Sequence, residues 1–165
     1  MKKSEILTLF RALNTLGQLQ GVKFSYSISR NLAILKPEIE ALEKASAPTP
    51  EFLEMDKERI KLVEEHAEKD EKGKPKKKGN EYVIPEDKKE DFENAFEAFK
   101  LEHKELYDAR EKQVEEYNAL LETESDIKLH KVNLADVPQN ITVSQMHSIS
   151  SFVEDSILSP YPPTK

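Results

Sequence analysis

Apolar residues recur at helical spacing through most of this chain. Ile6, Leu9, Phe10, Leu13 and Leu16 fall on one helical face, with Ser4 placed to cap that helix and Gly17 and Gly21 to stop it. Ile28, Leu32, Leu35, Ile39 and Leu42 follow at alternating spacings of four and three, the seam of a second helix. Pro37 lies inside that seam and removes the bond to the carbonyl of Ala33. Because the stripe continues past it, a bend is expected there and not a stop.

The stretch ASAPTP, residues 45–50, breaks the pattern, and Thr49 followed by Pro50 is a helix start. Phe52, Met55, Arg59, Leu62, Val63 and His66 mark a third, highly charged helix to about Lys72. Gly79-Asn80 supplies turn chemistry beside Tyr82-Val83-Ile84, which predicts a small hairpin over 74–84 with lysine-rich edges. From Pro85 a helix of over 30 residues, about 50 Å long, is predicted by Phe92, Phe96, Phe99, His103, Leu106, Arg110, Val114, Tyr117 and Leu121. The step from Arg110 to Val114 puts one extra residue into the heptad. Such a helix must pair with the third helix as an antiparallel arm, or with another subunit.

Ile127, Leu129, Val132 and Leu134 form a strand candidate. Thr142 and Gln145 make a capping box, with Ile141 and Met146 at the positions of a hydrophobic staple. In the helix that follows, Val143, Met146, Ile149, Phe152 and Val153 are expected to bury one face. The expected fold is therefore mainly α (α+β): a single domain, 1–165, with a helical base, a projecting charged arm over 50–122, a β-hairpin, one further short strand and a flexible tail at 159–165.

Charge adds detail to this picture. The 165 residues hold 25 basic and 32 acidic groups, and the surplus of acid lies on the predicted arm helices around a short basic stretch. Lysine and arginine alternate with glutamate there, which suits solvated helices supported by i,i+4 pairs. With no cysteine, disulfides, zinc–thiolate sites and a cysteine nucleophile are excluded. The amphipathic N-terminus does not read as a signal peptide, and no segment approaches the ~18 apolar residues of a membrane span. An intracellular location is expected.

The stretch GVKFSYSISRNLAILKPE, with GKPKKKGNEYVIPED further on, resembles a loose group of small, functionally uncharacterised proteins of tailed bacteriophages and prophages. The resemblance spans most of residues 6–134. It implies a phage setting, the cytoplasm of an infected bacterium or the virion, and a helical-arm fold. It carries over no mechanism and no catalytic residues.

Candidate chemistry is sparse. His66, His103, His130 and His147 lie on different elements, none three residues after a glutamate, so a di-iron bundle is unsupported and no metal is expected. There is no G-x-S-x-G, Walker or G-x-G-x-x-G motif, and no catalytic residue or cofactor is assigned. If a helix starts near Gly21, its free amides with Lys23, Ser25, Tyr26, Ser27 and Arg30 can form an anion site. On the arm, Glu97 and Glu111, and at the hairpin Lys76, Lys77 and Lys78, are candidates for partner binding. The expected function is non-enzymatic protein–protein interaction: binding and inhibiting or redirecting a host defence protein. A virion or tail-assembly role and sequestration of a nucleotide-like anion are the alternatives. A host or phage protein is the expected partner, with self-association as a further option; nucleic acid and membranes are not expected.

Overall fold

A computed structural model describes residues 1–155, so the tail expected at 159–165 lies outside the described residues. The fold is mainly α, with six helices and two small sheets among the described residues. Contacts divide the chain into two units, residues 1–45 with the chain from 117 on, and residues 46–116.

The first unit is built on two helices whose apolar stripes match the sequence pattern. Helix α1, Lys3–Thr15, buries Ile6, Leu9 and Leu13, and Leu16 follows at its C-terminus. Its cap is not Ser4, which lies within the first turn; the Glu5 carboxylate instead accepts from the backbone N–H of Lys2 at 2.8 Å. The Lys2 side chain pairs with Glu122, and this hydrogen bond raises the ammonium pKa. Helix α2, Val22–Ser46, runs through Pro37 and buries Phe24, Ile28, Leu35, Ile39 and Leu42. Val132, Ile149 and Phe152 close the same core from the C-terminal part of the chain.

That C-terminal part departs from expectation in three places. The strand predicted around 127–134 shrinks to β3, Val132–Asn133, and its partner is β4, Val153–Glu154, in a parallel pair. Helix α6, Val143–Ile149, has the predicted capping box, and Ile141 and Met146 pack on the core. It ends before Phe152, however, and Val143 is 89% exposed.

In the second unit α3, Pro50–His66, starts at the predicted Thr49 cap, whose hydroxyl accepts from the Phe52 N–H at 3.2 Å. It stops at His66, short of Lys72, because the chain from Glu68 onward enters the hairpin's bonding network. Strands β1, Lys77–Lys78, and β2, Glu81–Tyr82, pair antiparallel around Gly79, whose φ of +65° suits glycine. After a 3-10 turn at Glu86–Lys88 come α4, Lys89–Glu102, and α5, Lys104–Leu121. The single long helix of the sequence pattern is thus interrupted at His103, whose φ and ψ are −100° and 19°.

The arm pairs within the chain and antiparallel. The Phe92 ring lies 5.6 Å from that of His66, His103 Nε2 is 3.6 Å from Glu58, the Tyr107 ring is 6.2 Å from that of Phe52, and Arg110 donates to the Ser46 carbonyl at 2.9 Å. The extra residue expected between Arg110 and Val114 is absent from the packed seam. Gln113 takes the inward place, donating to the Ala47 carbonyl at 2.9 Å, and Val114 is left exposed. The seam therefore keeps its regular alternation, with a polar residue held inward by a backbone acceptor.

Candidate functional site

The start of α2 and residues 130–143 build the most distinctive surface of the first unit. Gly21, with φ of +140°, brings the chain close to the turn that follows β3: a Cβ there would lie 3.9 Å from both the Asp136 carbonyl and the Pro138 ring. Phe24, Ser27 and Asn31 then turn inward at helical spacing, which leaves Val22 and Tyr26 facing out.

Asn31 fixes the opposing segment. Fully buried, its amide donates to the His130 carbonyl at 3.0 Å, and its oxygen accepts from the His130 N–H at 2.7 Å. One side chain thus satisfies both backbone groups of one residue. Tyr26 stands edge-on to the His130 ring at 5.5 Å, and Lys23 Nζ reaches the two Asp136 oxygens at 3.0 and 3.3 Å. Between these groups lies a groove of about 320 Å³, bordered also by Lys131 and Asn133.

A second, larger groove of about 550 Å³ adjoins it, with Leu134, Val137, Pro138, Ile141, Val143 and Met146 among its lining residues. The 3-10 turn Leu134–Asp136 separates the two, giving Leu134 to one and Asp136 to the other. A third hollow, between α1 and α6, is rich in hydroxyls. Those of Thr8, Ser148 and Ser150 each donate to a nearby carbonyl of their own segment.

Of the residues singled out in the sequence, Lys23, Tyr26 and Ser27 come together at the first groove. Ser25 and Arg30 do not line it and are exposed. Ser27 is buried and donates to the Lys23 carbonyl at 3.0 Å, while Lys23 already has Asp136 as its counter-charge. On the arm, Glu97 pairs with Lys100 at 2.8 Å and Glu111 is exposed; Lys76 pairs with Glu68 at 2.9 Å, Lys77 Nζ sits 4.2 Å above the Tyr82 ring, and Lys78 is exposed. Val22, His130, Lys131 and Asp136 were not legible as site residues, since no local motif links positions about a hundred residues apart.

No group of three or more histidine or carboxylate side chains among the described residues is placed to hold a metal ion. No described helix is long and apolar enough to cross a membrane. Neither a protein-family model, nor a curated protein, nor a solved structure matches the chain.

Proposed function

We propose that this chain is a non-enzymatic protein-binding protein whose docking face is formed by the start of α2 and residues 130–143. The observation that carries this reading is the clustering of exposed apolar side chains. Seven large hydrophobics stand exposed among the described residues, and four of them, Val22, Tyr26, Leu134 and Val143, border the two adjoining grooves. Val22 and Tyr26 are 90% and 58% exposed, and side chains of this kind, gathered rather than scattered, are the usual anchors of a protein interface. Lys131 at the groove and Arg30, one turn beyond Tyr26 on α2, favour a partner that presents acidic groups around its apolar contact.

The likeness to phage proteins supports a setting in an infected or lysogenic bacterium, with a host protein, such as a defence factor, as the one bound and inhibited or redirected. Sequestration of a small anion is disfavoured by the Lys23–Asp136 pair, which already neutralises the groove's nearest cation. The test is affinity capture from the bacterial host, with and without infection, using the wild type and a Val22→Glu/Tyr26→Glu variant. One host protein at near-stoichiometric level is expected. Its affinity for the purified variant should fall at least about tenfold at unchanged melting temperature. Capture that ignores the variant would sink the proposed face, and loss on reversing Glu97 and Glu111 would move the contact to the arm. Phage structural proteins in place of a host protein would establish the assembly role.

A further inference from the structure

The unit formed by residues 46–116 is electrically polarised, independently of the face just described. Its helical shaft, residues 50–66 and 86–116, holds 18 acidic and 9 basic side chains, while residues 72–80 hold five lysines and no acid. Even with every shaft cation paired, nine carboxylates are left over.

The five lysines sit on an ordered platform. The Asp70 carboxylate accepts from the N–H groups of Lys72 and Lys74 at 2.9 and 2.8 Å, and Gly73 with φ of +76° completes that turn. Lys76 N–H donates to the Glu68 carbonyl at 2.7 Å, Glu68 N–H to Val83 at 2.8 Å, and Val83 N–H to Lys76 at 3.0 Å, so the hairpin is bonded to the end of α3. Lys76 is neutralised by Glu68. Lys72, Lys74 and Lys78 form no ion pair among the described residues, and Lys77 Nζ lies over the Tyr82 ring and not against a carboxylate. The hairpin lies at the end of the helical pair opposite residues 46 and 110, which meet through the Arg110–Ser46 bond.

We propose that this lysine tip docks on the acidic shaft of a second copy of the chain. Charge complementarity selects that occupant: a second copy carries the matching excess of carboxylates, and the tip does not use its own. A two-fold axis across two antiparallel shafts sets each tip beside the other copy's shaft. Both contacts then form at once and the assembly closes as a dimer. With α3 about 26 Å long, the tip reaches carboxylates well along that shaft. Leu53, Leu101 and Val114, exposed on the shaft helices, add apolar area. A nucleic acid is the poorer occupant, because its phosphates would run from the tip onto the acidic shaft, and the Tyr82 ring is covered by Lys77 where a base would stack.

Sedimentation velocity of the full chain in low and high salt tests this. Raising NaCl from about 50 to about 500 mM shortens the Debye length from roughly 13 to roughly 4 Å, so a dimer in low salt should weaken by at least about tenfold. The variant Lys74→Glu/Lys77→Glu/Lys78→Glu should be monomeric, as should Glu97→Lys/Glu105→Lys/Glu111→Lys. An equimolar mixture of the two should recover the dimer, which misfolded proteins would not do. A monomer in low salt at about 100 µM, well above any Kd of use to a cell, overturns the proposal. So does a dimer indifferent to salt and to tip reversal, or a monomer from which tip reversal releases bound nucleic acid.

Discussion

Asn31 shows how much one side chain decides. A buried amide that pairs with both backbone groups of His130 joins α2 to a segment 99 positions away. Asn31→Leu removes both bonds and strands the part-buried N–H and C=O of His130, at a cost of about 2–4 kcal/mol. The urea midpoint should drop accordingly, and the groove beside Tyr26 should open with it. Asn31→Asp keeps the acceptor but faces a carboxylate toward the His130 carbonyl unless it is protonated. That variant should therefore be more destabilised at pH 8 than at pH 4, the reverse of ordinary acid denaturation. Tyr107 is the opposite case: its hydroxyl is buried with no hydrogen-bond partner among the described residues. Tyr107→Phe should leave the melting temperature unchanged or raise it, since a desolvated O–H is removed and the ring packing on Phe52 is kept.

At the scale of elements, local chemistry sets both the helix starts and the interruption at His103. The Thr142–Gln145 box satisfies two backbone donors reciprocally, and Thr142→Ala should cost about 1 kcal/mol, read as a lowered unfolding midpoint. Pro37 leaves the Ala33 carbonyl without its helical partner while α2 continues on both sides. Pro37→Ala restores that bond but loosens the unfolded chain, and a net gain of about 1–2 kcal/mol is expected by denaturant titration. At His103 the break is held from two directions. Its ring packs on Phe99 at 4.4 Å, and its carbonyl accepts from both Leu106 and Tyr107 N–H groups, at 3.0 and 3.2 Å.

At the scale of the molecule the two units differ in both burial and charge. Of the fourteen buried hydrophobics among the described residues, only Met55 and Ala67 belong to residues 46–116; the other twelve lie in the first unit. Residues 46–116 carry 22 acidic and 15 basic groups, and the rest of the chain carries 10 of each, so the whole net charge of −7 resides in the second unit. Few buried contacts and unbalanced charge both make for low-energy opening. In native-state hydrogen exchange the amides of α3, α4 and α5 up to residue 116 should therefore open at lower free energy than those of α1 and the buried face of α2. Equal protection in both would show that the chain unfolds as one cooperative unit.

Helices and their ends are legible in the residues alone where the cause is local. The 3–4 spacing of apolar residues placed α1 and α2, Thr49-Pro50 and Thr142–Gln145 marked two starts, and Gly79-Asn80 marked the hairpin. The pattern fails at positions where a residue's own polarity is a poor guide. Gln113 faces inward because the Ala47 carbonyl waits for its amide, and Val114 and Val143 face outward because no part of the core reaches them. Tertiary packing alone sets the pairing of β3 with β4, the clasp of Asn31 on His130, and the assembly of the first groove from segments a hundred residues apart. Local propensity acts over one helical turn, whereas these arrangements depend on which distant surfaces are buried together.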